Sequence, residues 1–164
     1  MLHFALMTVF PLIVAYAAIS DFMTMTISNH LVLALIGAFF LVAPFAGLGW
    51  HAFGMALLSG LIVLFAGYIC FEFGWVAGGD VKFATAVALW LGWDHLLDYL
   101  VLFSLYGGLL TVAVLVVSQF LAPLPILQVG FLNHFAKNRK IPYGIALSIA
   151  ALQIYPSTVW LFIS

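Results

Sequence analysis

Residues 52–71 read AFGMALLSGLIVLFAGYICF, a run of 20 residues without a charged side chain. A helix rises about 1.5 Å per residue, so this run is roughly 30 Å long, the thickness of a bilayer's hydrocarbon core. Outward from it, further apolar runs extend from Leu2 to Ser20, Leu31 to Gly49, Val81 to Trp93, Tyr99 to Ala122 and Ile141 to Ile163. Of the 164 residues, 67% are hydrophobic and only 5% charged, which leaves too little polar surface to cover a globule in water. The expectation is an all-α polytopic membrane protein whose solvent is the lipid bilayer. About six transmembrane helices form one bundle, and residues 1–164 form a single domain.

Five of the runs are long enough to cross unaided. The fourth has 13 residues and crosses only if its helix starts near Gly78 or if Lys82 snorkels to the interface. Ser28 and Asn29 suit the cap of the second helix, and Pro142 the first turn of the sixth. Pro11, Pro44 and Pro156 fall within runs and read as tolerated kinks. Trp50, Trp75, Trp90, Trp93 and Tyr99 fall near expected helix ends and read as an aromatic belt. The first run has no preceding Lys or Arg and no small-residue cleavage site, so it reads as a retained span and not a signal peptide.

A formal net charge of −1 with only Lys82, Lys137, Arg139 and Lys140 as basic residues argues against a nucleic-acid partner. Three of the four lie in the fifth connection, Pro123 to Lys140, which the positive-inside rule assigns to the cytoplasm. Six crossings then put both termini outside. The first and third connections, with Asp21 and with Asp80 and Lys82, share the cytoplasmic side. His51 and the Asp94, His95 and Asp98 group fall on the opposite side and read as solvated boundary residues. A single cysteine, Cys70, excludes a multi-thiolate metal site.

An ionisable group at a membrane boundary is costly unless water or a partner stabilises it, so each one is a candidate for function. Asp21 lies in Ser20-Asp21-Phe22-Met23-Thr24-Met25-Thr26-Ile27-Ser28-Asn29, and Asp80 in Ala77-Gly78-Gly79-Asp80-Val81-Lys82. Either alone reads as a helix cap or turn. Two carboxyls on one face can divide acid and base work, one activating water while the other protonates the carbonyl or the leaving amine. Gly78 and Gly79 allow the backbone a close approach to a substrate. They lack the longer glycine pattern and Lys-Ser/Thr of a phosphate loop, and the histidines are not paired for haem, so no cofactor is expected.

Three ordered motifs, Asp21 with Ile27-Ser28-Asn29, Gly78-Gly79-Asp80-Val81-Lys82, and Pro142-Tyr143-Gly144, resemble those of the type IV prepilin peptidases. The likeness covers essentially the whole chain and is greatest to the short form of tight-adherence, Flp-type pilus systems. It implies a GxGD-type aspartyl protease of the bacterial inner membrane, cutting leader peptides from prepilins or pseudopilins on the cytoplasmic side. It also implies Asp21 and Asp80 as the catalytic pair, with Gly78, Gly79 and Lys82 shaping or supporting the active-site loop. Ala77 stands where the full pattern has its first glycine, and Ser28 where proline is frequent. Larger relatives carry a cysteine-rich zinc segment and methylate the new N-terminus; the short first connection and lone Cys70 argue against methyltransferase activity here.

From helix ends alone, Asp80 starts a helix beside Lys82 and is expected to be the ionised base, with Asp21 the acid. Lys82 reads equally as a snorkelling anchor, and Glu72 as a boundary carboxylate. Two other functions fit lone membrane carboxylates: a small proton-coupled transporter or channel, and a noncatalytic anchor for pilus assembly.

Overall fold

The computed structural model describes residues 2–120, 141–158 and 160, without the side chains of 2–7, 117, 118 and 120. The basic segment used to orient the chain, with Lys137, Arg139 and Lys140, lies outside them, as does His134. Among the described residues there are six α-helices and no strand. They are α1 (Leu2–Thr24), α2 (Asn29–Phe45), α3 (Trp50–Glu72), α4 (Gly78–Leu91), α5 (Leu96–Phe120) and α6 (Tyr143–Ile154), the last followed by a 3-10 turn, Tyr155–Ser157.

The helix boundaries follow local chemistry. Nothing in Asp21-Phe22-Met23-Thr24 breaks a helix, so α1 runs past Ser20 and stops only at Met25, whose φ of 54° is left-handed. Asp21 therefore sits in the last turn of α1 and not in the loop after it. Ser28 caps α2, its hydroxyl accepting the Leu31 N–H at 3.4 Å. α4 starts at Gly78 and ends where Gly92 adopts a φ of 71°, so even with the earlier start it has only 14 residues. The run 141–163 is not one helix: α6 ends at Ile154, and Pro156 stands in the 3-10 turn that follows.

Two helices among the described residues are long and apolar enough to cross a membrane, α3 with mean hydropathy 2.1 and α5 with 2.2. Only 22% and 11% of those stretches are buried, whereas the core helix of a soluble protein is mostly buried. Phe65 on α3 and Leu109 on α5 turn about 70% of their surface outward (70% and 69%), as side chains facing lipid do. The other helices are shorter by this measure: α1 counts over Thr8–Thr24, where its side chains are described, α2 has 17 residues, α4 has 14 and α6 has 12.

α4 is the axis of the molecule. Every residue from Phe83 to Leu91 is buried, and the helix packs against α2, α3, α5 and α6. Small residues bring α3 close: a Cβ at Gly60 would lie 2.7 Å from Leu89 Cδ2, and one at Gly67 would lie 2.6 Å from Val81 Cγ1. Next to Gly60, the Ser59 hydroxyl lies 2.9 Å from the Ala88 carbonyl of α4, within reach to donate to it. α1 packs on α6 and α2, and α5 on α6.

Trp90 and Tyr99 are not belt residues. Trp90 is 1% exposed, donates its indole N–H to the Leu35 carbonyl at 2.9 Å, and joins a cluster with Phe10, Phe39, Tyr155 and Trp160. Tyr99 is wholly buried. Their places near the ends of apolar runs suggest a membrane interface, but α4 is enclosed on all sides, so its end is core. Trp50, Trp75 and Trp93 are exposed.

Candidate active site

α1 ends, and α4 and α6 begin, at one end of the bundle, and this brings the three sequence motifs together. Of the five acidic residues, Asp21 and Asp80 are the two that are buried, at 3% and 9% exposure. Asp21 is in the last turn of α1 and Asp80 in the first turn of α4. The backbone N–H of Gly144, 123 residues along the chain, donates to Asp21 Oδ2 at 2.8 Å, and the N–H of Ile145 donates to the same carboxyl. These N–H groups belong to α6's first turn, where Pro142 at the cap position offers no side-chain acceptor; the Ile145 N–H also reaches the Pro142 carbonyl at 3.2 Å. Asp21 thus caps α6 from another helix.

Gly144 is glycine because of this contact. A Cβ there would lie 2.7 Å from Asp21 Oδ2 and 2.8 Å from Ile27 Cδ1. Ile27, in the motif before α2, touches both: its carbonyl also lies 3.7 Å from where a Cβ of Gly79 would sit. Gly79 and Gly78 are less confined, their nearest neighbours being at ordinary contact distance, Phe71 in the case of Gly78.

Both carboxyls lie just outside the apolar runs 2–20 and 81–93, and their surroundings differ. Burial pushes the Asp21 carboxyl above its ordinary range, while the N–H groups of Gly144 and Ile145 pull it back. Burial also pushes the Asp80 carboxyl up, and the neighbouring charge of Asp21 pushes it the same way. Asp80 receives no compensating backbone bond among the described residues. Of the two, Asp21 is the one with backbone donors to stabilise its charge among the described residues.

Lys82 does not neutralise either acid. It is exposed, and its Nζ donates to Asn29 Oδ1 at 3.2 Å, tying the first turn of α4 to the start of α2. Glu72 is exposed at the end of α3 and hydrogen-bonded by Tyr68. His51, Asp94 and His95 line a separate cavity of about 180 Å³ at the other end of the bundle, and His95 Nδ1 lies 3.9 Å from Asp98 Oδ2. No three metal-ligating side chains converge among the described residues.

An open-sided cavity of about 500 Å³ leads away from Asp80 between α3, α4, α5 and the start of α6. Tyr143 lies in its wall, with its ring against Gly107 and its hydroxyl 3.1 Å from Thr111 Oγ1. The sequence analysis gives Pro142-Tyr143-Gly144 no role in the site; the structure brings Gly144 onto Asp21 and puts Tyr143 in the wall of the cavity that Asp80 also lines. The signal was the glycine after Pro-Tyr, whose need for closeness to Asp21 no local pattern reveals.

The model of the type IV leader peptidase family matches residues 8–117, two thirds of the chain and both aspartate motifs. The chain belongs to that family. Neither a curated protein nor a solved structure gives a match. As a member of the family it is a leader peptidase-like protease, a membrane-embedded hydrolase to which two long apolar helices are suited. The match ends inside α5, so the Gly144 contact with Asp21 comes from the structure.

Proposed function

We propose that this protein is an aspartyl endopeptidase that removes leader peptides from type IV prepilins of the Flp kind, with Asp21 and Asp80 as its catalytic pair. The observation that carries the reading is the convergence of the two buried acids at one end of the bundle, in a chain of the leader peptidase family. The division of labour that the surroundings favour is the reverse of the one drawn from helix ends. Asp21 is ionised because two N–H groups of α6 hold its charge. Asp80 is protonated because it is buried, faces that charge and has no help from Lys82.

In this mechanism Asp21 takes a proton from a water molecule, whose oxygen attacks the scissile carbonyl carbon, while Asp80 gives its proton to the carbonyl oxygen. The tetrahedral diol then collapses. The proton held on Asp21 passes to the leaving nitrogen as the C–N bond breaks, and Asp80 takes back a proton from the diol hydroxyl as the new carboxyl forms. The products are an amine and a carboxylic acid, and the pair returns to its starting state.

The remaining features of the reading follow from composition and family. The protein is multi-pass, with about six helices in the bacterial inner membrane, both termini periplasmic and the Asp21 and Asp80 end facing the cytoplasm. Coexpression with a prepilin tests the function. Wild type is expected to convert it to the shorter form, and Asp21→Asn and Asp80→Asn at equal membrane abundance are expected to leave it uncut. Full processing by both variants rejects the pair, and proton flux in proteoliposomes without cleavage favours a transporter.

A further inference from the structure

The smaller cavity, of about 180 Å³, is at the end of the bundle away from the two acids, and polar groups line it in an otherwise apolar surface. α3 starts at Trp50 and α5 at Leu96, so the two helices long and apolar enough to cross a membrane both begin beside it. The cavity is therefore at the level where hydrocarbon gives way to lipid headgroups. Its polar side chains are His51, Asp94 and His95, and its aromatic ones are Trp90, Trp93 and Trp160. The indole N–H groups of Trp90 and Trp160 already donate to the carbonyls of Leu35 and Trp90, so these two residues offer the cavity only ring surface.

Charge selects among ligands. Among the described residues Lys82 is the one Lys or Arg, and it is tied to Asn29 at the opposite end of the bundle. Here the exposed acids Asp94 and Asp98 stand without a fixed cation. His95 Nδ1 is 3.9 Å from Asp98 Oδ2, which leaves Asp94 without an ion-pair partner among the described residues. An anion meets only like charge here, whereas an ammonium meets a carboxylate beside aromatic rings, the surroundings that hold amines. The volume suits one small headgroup, being that of about six water molecules in the liquid. Leu97 and Val101, one helical turn apart on α5 and both exposed, begin an apolar row two residues past His95, along which acyl chains can lie.

We propose that this cavity binds the headgroup of an amine-bearing phospholipid of the ethanolamine class, its ammonium between the Asp94 carboxylate and the indole rings and its phosphate outward, where His51 can donate an imidazole N–H. Binding there ties the start of α3 to the link between α4 and α5, away from Asp21 and Asp80. Small soluble molecules also carry an amine beside a phosphate; the lipid is favoured by the cavity's level in the membrane and by the apolar row that leaves it.

The test uses the full-length protein in nanodiscs of phosphatidylglycerol, with or without phosphatidylethanolamine. Site occupancy is read as the rate at which diethyl pyrocarbonate modifies His51, followed by mass spectrometry, with His30, exposed at the opposite end, as the internal control. Phosphatidylethanolamine is expected to slow His51 at least about threefold and to leave His30 unchanged. Asp94→Asn removes the counter-charge and Ala52→Leu fills the cavity; in both, the protection is expected to fall below about 1.5-fold. Both positions are exposed, so both variants are expected to fold. Glu72→Gln, at an exposed acid of the other end, is expected to keep the full protection. Equal His51 reactivity in the two discs overturns the proposal, as does protection that survives in both cavity variants or that slows His30 equally. Phosphoethanolamine dissolved in the buffer that protects His51 as well as the lipid does assigns the site to a soluble amine and also overturns it.

Discussion

Replacing Gly144 with alanine tests how Asp21 is held. The new Cβ would lie 2.7 Å from Asp21 Oδ2, and the carboxylate must retreat by about 0.7 Å to reach ordinary contact. The Gly144 N–H bond, 2.8 Å in the native site, then stretches to about 3.5 Å, where little of its strength remains. A hydrogen bond to a charged group contributes about 1.5–3 kcal/mol, so its loss is expected to lower kcat/KM for leader cleavage roughly 10- to 150-fold. Because Gly144 is the second residue of α6, alanine's helix propensity of up to about 1 kcal/mol offsets part of the cost of these contacts, and a destabilisation of about 1–3 kcal/mol is expected without wholesale unfolding. The assay is single-turnover cleavage in membranes, with thermal unfolding measured alongside. Gly144→Ala with activity within twofold of wild type would refute the role of this contact; an activity loss matched by wholesale unfolding would equally deny it.

Other outcomes follow from the same geometry. Lys82→Met removes an exposed hydrogen bond to Asn29 and is expected to cost no more than about threefold in cleavage; a loss of a hundredfold would restore a direct electrostatic role. Gly67→Ala drives a Cβ against Val81 Cγ1 and is expected to destabilise the fold by about 1–3 kcal/mol, with Gly67→Ala/Val81→Ala recovering part of it. Thermal unfolding of the single and double variants decides this, and no recovery counts against close α3–α4 packing. Cleavage is expected to be bell-shaped in pH, lost at low pH as Asp21 gains a proton and at high pH as Asp80 loses one. Since Asp80 is raised, the alkaline limb lies above the ordinary carboxylate range. In Asp21→Asn the charge that raises Asp80 is gone, so its infrared C=O band is expected to vanish at lower pH than in wild type.

Much of the site was legible because charge is scarce. Asp21 and Asp80 stand out among five acids in an apolar chain, and the structure buries these two alone. The starts of α2 and α4 were legible as well, since Ser28 and the Gly78-Gly79 pair carry local boundary chemistry. The end of α1 was not, because Met25 takes a left-handed conformation that its side chain does not announce. Gly144 was passed over because its constraint comes from a carboxylate 123 residues away. Trp90 and Tyr99 misled for a related reason: position near the end of an apolar run suggests a membrane interface, whereas enclosure by four neighbouring helices is a tertiary fact. The initial assignment of base and acid weighed the dipole of α4 and the charge of Lys82, but not the second helix terminus that reaches Asp21 or the burial of Asp80.

The central claim is that the two aspartates work as one unit on a peptide bond. Its most direct test is the single-turnover rate of leader cleavage by purified wild type, Asp21→Asn, Asp80→Asn and the double variant. Groups that share one proton-transfer step are grossly non-additive, so each single substitution is expected to lower the rate by about 10³-fold or more, with the double variant no slower than the singles. Either single variant retaining a rate within tenfold of wild type, or losses that multiply in the double variant, would contradict it.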